Sequence, residues 1–174
     1  IAFRYFPFGF IYDVAGTSLF AHNTTDKYYL LGCINAVTTQ YFLSILSPTL
    51  NYEVGQISKL PISQNPNCLS LNIVIENISI SKQDWDAHET SWDFQHHPLL
   101  RKVPTIAEAF EQWQTECNNR FNQLKANEEE LNRIFIDIYN VHNELESRVD
   151  ENDIVIKKAD KKREIKSLIS YADG

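Results

Sequence analysis

The hydrophobic positions of the chain change their period as it proceeds. In FPFGFIYDV, Phe6, Phe8, Phe10, Tyr12 and Val14 alternate, which predicts a strand with five large side chains on one face. Gly16 interrupts that run within AGTS. Leu30, Leu31, Ile34, Val37, Tyr41, Phe42 and Ile45 then recur at three-to-four spacing, the mark of a helix. Thr24, Thr25 or Asp26 can cap it, and Ser47-Pro48 ends it because the residue before proline avoids the α region. LNYEVGQISKLPI returns to short extended pieces around Gly55 and closes on Pro61.

Beyond that point the pattern is helical. Asn65-Pro66 supplies a cap and a proline at the first helical position, and no glycine or proline follows until Pro98. Leu71, Val74, Ile75, Ile78, Trp85 and Trp92 fit a helical stripe, although Leu69, Leu71, Ile73 and Ile75 also alternate as in a strand. The length without punctuation favours helix. A second helix starts at Thr105, with Glu108 completing a capping box. Its stripe runs Ile106, Phe110, Trp113, Cys117, Phe121, Leu124, Leu131, Ile134, Phe135 and Ile138, with a polar gap at Asn127-Glu128. That spacing approaches a coiled coil without strict heptads. DENDIVIKKAD makes a turn with a brief apolar segment, and KKREIKSLISY forms a last basic helix carrying Ile165, Leu168 and Ile169. The predicted fold class is α+β: a small mixed α/β unit in residues 1–67, then long antiparallel helices in residues 68–174.

Composition excludes wholesale disorder, since 43% hydrophobic and 22% charged residues are ordinary globular values. Twelve of the 21 aromatic residues lie within the first 67 positions, at spacings that predict core packing. No apolar run approaches the roughly 18 residues of a membrane span. Cys33, Cys68 and Cys117 are odd in number and lack metal spacing, which points to reduced thiols and a cytoplasmic setting. The opening IAFRYF, already strand-like and without methionine, reads as a piece excised from a larger protein.

Charge separates the two parts. Residues 1–67 balance Arg4, Lys27 and Lys59 against Asp13, Asp26 and Glu53, so the net −7 falls on residues 68–174. Such a surface repels duplex DNA except where bases cluster. One cluster exists: Lys157, Lys158, Lys161, Lys162, Arg163 and Lys166. With Arg4 and Lys27 it forms the candidate phosphate contact. The plainer alternative is a solvated helix face.

The stretch SKQDWDAHETSWDFQHHPLL (residues 81–100) concentrates tryptophan, histidine and acid. As a metal site it lacks the pairing that puts two imidazoles on one helical turn. As a nuclease it lacks the acid-x-lysine arrangement that activates water. Packing explains it better: Trp85 and Trp92, seven apart, would share one helical face against the second helix. Asp86, Glu89 and Asp93 would then be capping or solvent-facing, and Pro98 would end the helix.

These residues also carry a resemblance. ISISKQDWDAHETSWDFQHHPLL (residues 78–100), with Trp85, Asp86, Glu89, Trp92, Asp93 and Phe94, resembles a segment of large adenine-specific DNA methyltransferases. Those are the PglX-type enzymes of BREX phage-defence systems and related single-chain restriction-modification proteins. NEEELNRIFIDIYN (127–140) and DIVIKKADKKREIKSLISYADG (153–174) are similar to the stretches that follow there. FGFIYDVAGTSLF and SPTLNYEVGQISKLPI are similar to the end of the family's target-recognition region. The family's sequence runs on past the position of Gly174.

The resemblance implies a parent that transfers a methyl group from S-adenosylmethionine to adenine N6, with double-stranded DNA and defence-complex proteins as partners. The family's Asn-Pro-Pro-Tyr motif and cofactor loop do not occur here; Asn65-Pro66 is followed by asparagine. No catalytic, cofactor-binding or metal-ligating residue is therefore expected in this segment. Residues 1–67 would close the target-recognition domain and 68–174 would form a helical spacer. A protein-interaction module docking partner subunits is the alternative.

Overall fold

The computed structural model describes residues 2–11, 17–46, 54–63 and 71–173. Its helices are α1 (Thr24–Asn35), α2 (Val37–Leu46), α3 (Val54–Ile57), α4 (Leu71–Asp86), α5 (Ile106–Tyr139) and α6 (Lys161–Asp173), with one 3-10 turn at Glu151–Asp153. No strand occurs among the described residues. The α+β expectation is thus corrected: the described residues form helices without a sheet. Two compact units divide the chain, and the division falls inside α4 and inside α5.

The first unit comprises residues 1–76 and 127–148. The alternating aromatics near its start do not build a sheet. A turn at Phe8–Gly9, where Gly9 takes φ +102°, breaks the alternation. Phe6 and Phe10 then meet edge-on, 5.6 Å between ring centres. Phe8 and Ile11 are fully exposed, while Tyr12, Val14 and Gly16 lie outside the described residues. In place of a neighbouring strand, the side-chain amide of Asn35 serves the backbone of Phe3: it accepts from the N–H at 2.9 Å and donates to the carbonyl at 3.1 Å.

The single helix expected up to Ile45 is two helices. Asn23, not Thr24, Thr25 or Asp26, is the N-cap of α1, its side chain accepting from the Asp26 N–H at 2.8 Å. At Ala36 the backbone turns extended (ψ 152°), and α2 departs at 67°. The break is satisfied from elsewhere in the unit. Thr39 Oγ1 donates to the Cys33 carbonyl at 2.8 Å, and Asn132 of α5 accepts from the Val37 N–H at 2.8 Å. Gly55, expected in an extended piece, sits in the one-turn helix α3. The Ser47-Pro48 and Asn65-Pro66 signals and Cys68 lie outside the described residues.

The core of this unit joins Leu43, Ile57 and Leu60, with Phe3 and Phe42 against them. Tyr29 stacks at a tilt on the wholly buried Phe135, and Phe42 meets Tyr139 edge-on at 5.1 Å. The Tyr139 hydroxyl donates to the Pro61 carbonyl and lies 3.7 Å from Cys33 Sγ. α5 ends beside it in a Schellman cap: Val141 N–H reaches the Ile136 carbonyl, and Asn140 N–H the Asp137 carbonyl. Asn140 adopts φ 53°, the left-handed region that asparagine tolerates.

The second unit comprises residues 77–126 and 149–174. Thr105 caps α5 as its sequence predicts, Oγ1 accepting from the Glu108 N–H and donating to the Glu108 carboxylate, each at 3.2 Å. The stripe on α5 feeds two core clusters. One joins Ile80, Phe121 and Leu124 to Ile154 and Ile156, so the brief apolar segment after residue 150 is a true core element. The other joins Leu99, Ala109, Phe110, Trp113 and Cys117, with Leu168 of α6 against them. Ile165 and Ile169 do not share the seat of Leu168; Ile169 is 57% exposed. No single helix among the described residues is long and apolar enough to cross a membrane. α1 and α2 reach that length only together, across their bend.

Candidate functional site

The tryptophan- and histidine-rich stretch is a helix end and a loop. α4 stops at Asp86, and residues 87–105 proceed through successive tight turns, with Ala87, His88, Ser91 and Phe94 N–H groups each bonded to the carbonyl three residues back. Trp85 and Trp92 therefore do not share a helix face. Trp85 is 57% exposed and Trp92 99% exposed, which corrects the expectation that both anchor a helix–helix contact. The physical reason lies in the polar residues between them. Ser91 Oγ donates to Asp86 Oδ1 at 2.7 Å and accepts from the Asp93 N–H at 3.1 Å. Lys82 Nζ bonds both Asp86 and Asp93 at 2.6 Å. This network fixes the backbone on both sides of Trp92 and folds the chain back before another helical turn can form.

Burial alone would raise the Asp86 carboxyl, but the Lys82 and Ser91 hydrogen bonds outweigh it and hold it below the usual range. Glu89 is exposed. Phe94 is half-buried, its ring edge-on to Tyr171 at 5.8 Å. His97 is 2% exposed, and its Nδ1 accepts from the Leu99 N–H at 3.2 Å. Burial pushes this imidazole below its ordinary value, against the pull of Glu164 and Glu89 and together with the charge of His88. A neutral buried imidazole has a definite consequence. The unfolded chain takes up a proton at His97 as pH falls through about 6.5, and the folded chain does so only lower down. Stability is therefore lost as pH drops below about 6.5. Thermal melting at pH 7.5 and 5.5 should show a smaller drop for His97→Gln than for the parent chain; equal drops would deny His97 this role.

Around the buried Trp113 lies a set of polar side chains, partly buried, that periodicity did not disclose. The Trp113 indole, 4% exposed, has the Arg120 guanidinium 4.7 Å and the Arg101 guanidinium 5.7 Å from its ring centre. Arg101 grips Glu116 with two bonds, 2.6 and 2.8 Å. Arg120 also donates to Cys117 Sγ at 3.3 Å. Burial pushes the Cys117 thiol up to about 11, so it is an unreactive core group. Burial likewise raises Asp84, against the pull of His88, Arg120 and Arg163. Glu164 is 3% exposed and held by Arg163 at 2.6 and 3.0 Å. The i, i+4, i+7 spacing of Trp113, Cys117 and Arg120 signals a shared face, but nothing in the sequence announces that a half-buried arginine takes part in it. Among the described residues no three His, Cys, Asp or Glu side chains are grouped to hold a metal ion.

The candidate phosphate contacts separate into bound and free cations. Lys158 pairs with Glu151 at 2.9 Å and lies over the Phe121 ring. Arg163 is engaged by Glu164 and by the Lys158 carbonyl. Lys27, in the other unit, stands over the Tyr5 and Tyr28 rings at 4.9 and 5.2 Å. Arg4, Lys157, Lys161 and Lys162 are exposed and have no carboxylate partner among the described residues.

No family model matches the chain. Two curated relatives do. The adenine-specific methyltransferase PglX of Lacticaseibacillus casei (strain Zhang) is 40% identical over 98% of this chain. The adenine-specific methyltransferase BrxX of Escherichia coli O9:H4 (strain HS) is 31% identical over 78% of it. The matches span 15% and 11% of the lengths of those relatives. Identity of this extent, sustained across nearly every element described above, makes the chain a member of the PglX/BrxX-type family, as a segment corresponding to a limited part of each relative.

Proposed function

We propose that the chain is a recognition and scaffold segment of a site-specific adenine-N6 DNA methyltransferase of a phage-defence or restriction-modification system. The observation that carries this reading is the 40% identity to PglX over 98% of the chain. The whole protein would draw its methyl group from S-adenosylmethionine, and this segment would supply neither the catalytic nor the cofactor-binding residues. Residues 1–67 would close the target-recognition domain and residues 68–174 would serve as the spacer. An enzyme that flips its target adenine must hold a recognised sequence at a fixed distance from its pocket. The 34-residue helix α5 spans about 50 Å at ~1.5 Å per residue, a suitable element for setting such a distance.

Phosphate contact in this reading falls to Arg4, Lys27 and Lys157, the candidates not consumed by carboxylates or by the surface of α6. Duplex binding by the 174-residue chain should be salt-sensitive in filter-binding assays. Replacing all three by Ala should lower the slope of log affinity against log salt by about 2–3, at roughly 0.9 per neutralised phosphate. An unchanged slope removes these residues from the interface, and no salt-sensitive duplex binding at all removes the DNA-contact reading. Docking of a protein partner is a second reading, favoured by the outer face of α6.

A further inference from the structure

α6 carries apolar side chains on two sides, and only one of them is fully seated: on the other, Ile165 is half-buried and Ile169 57% exposed. Its inner side seats Glu164, Leu168 and Tyr171: Glu164 is buried, Leu168 packs on the Leu99–Trp113 cluster, and the Tyr171 ring meets Phe94 and His97. Ile165 and Ile169, one helical turn apart, form a second stripe outside that seat. With Lys161, Lys162 and Lys166 they line a shallow trough along the helix. A helix with apolar residues on two sides is ordinarily covered on both.

The charges around the trough are uncompensated. Lys161, Lys162 and Lys166 have no carboxylate partner among the described residues, although Lys158 and Arg163 beside them are both paired. This stands out in a chain of net charge −7, where acids are plentiful. We propose that the outer face of α6 binds an acidic amphipathic helix of a protein partner. Aliphatic side chains at i and i+4 of that helix cover Ile165 and Ile169, while flanking carboxylates meet the three lysines. A DNA backbone matches the lysines equally well. It offers charge rather than aliphatic surface, and so leaves Ile169 in water. The inference is independent of phosphate contact at Arg4, Lys27 and Lys157.

The test titrates the chain with a synthetic amphipathic peptide of about 20 residues, long enough to be helical when bound. The peptide carries leucines at i, i+4 spacing flanked by glutamates. Its charge-reversed twin, with lysines for glutamates, is the control, and a short DNA duplex is the competitor. The acidic peptide is expected to bind with micromolar Kd and the twin at least about tenfold more weakly. Ile169→Ser should weaken the acidic peptide about tenfold with the circular dichroism spectrum unchanged, because Ile169 lies outside the core. Lys162→Glu/Lys166→Glu should abolish the salt dependence. Equal binding of the two peptides, or an unchanged Kd in Ile169→Ser, overturns the proposal. Displacement of the peptide by duplex, with duplex affinity insensitive to Ile169→Ser, assigns the face to nucleic acid instead. A dimer in sedimentation that Ile169→Ser dissolves assigns it to a second copy of the chain.

Discussion

Trp113→Ala is expected to destabilise the second unit by about 3–5 kcal/mol, whereas Trp92→Ala changes stability by no more than about 0.5 kcal/mol. The two residues are chemically identical, so the contrast isolates their surroundings. Trp113 is 4% exposed among Leu99, Phe110 and Cys117. Its removal leaves a cavity and also strips Arg120 and Arg101 of the ring they face. Trp92 has 99% of its surface in water, and its backbone is fixed by Ser91 and Asp93 rather than by the indole. Urea unfolding followed by far-ultraviolet circular dichroism measures both. A Trp92→Ala loss as large as that of Trp113→Ala would mean that the loop packs differently.

Arg163→Ala is expected to cost about 2–3 kcal/mol, and Lys157→Ala close to nothing. The neighbouring Glu164 is the cause. Its carboxylate is 3% exposed and its ion pair is with Arg163, which also donates to the Lys158 carbonyl. Truncating the guanidinium leaves a buried charge uncompensated, a penalty of about 3–5 kcal/mol for a fully buried pair. The Arg163 side chain is 41% exposed, so water reaches the pair and reduces the figure. The companion Arg163→Ala/Glu164→Leu should recover most of the loss, since an apolar side chain then fills the buried position. Equal melting temperatures for the parent chain and Arg163→Ala would return Arg163 to the set of free surface cations.

Where a residue's role follows from local spacing, the sequence discloses it. The stripe from Phe110 to Phe135 and the Thr105–Glu108 cap both appear in α5 as the pattern predicts, because an isolated helix already defines its faces and its ends. The alternation at Phe6, Phe8 and Phe10 misleads for the same reason in reverse. Alternation describes which way side chains point from an extended backbone, but a strand exists only if another backbone pairs with it. Here a turn at Phe8–Gly9 breaks the run, and upstream of it the Asn35 amide bonds Phe3 across 32 positions, a contact that no local window contains. The break at Ala36 is of the same kind, stabilised by Asn132 from 95 positions away. At Trp85 and Trp92, sevenfold spacing suggested a shared face. Ser91 and Lys82 instead tie Asp86 to Asp93 across Trp92, and the helix ends at Asp86. The candidate basic cluster was legible as a composition, yet its division into paired and unpaired cations depended on Glu151 and Glu164, whose positions only folding reveals.

The distribution of the three indoles also governs what light reports about this molecule. Trp92 emits from water in the folded chain, so unfolding scarcely alters its surroundings, and Trp85 is 57% exposed already. Trp113 alone passes from an apolar interior flanked by two guanidinium groups to solvent. The wavelength shift on denaturation is consequently dominated by Trp113 and, since all three indoles lie in the second unit, is silent about the first. Quenching by iodide or acrylamide in the native state samples the complementary pair, and so follows the surface around residues 85–93 without labelling.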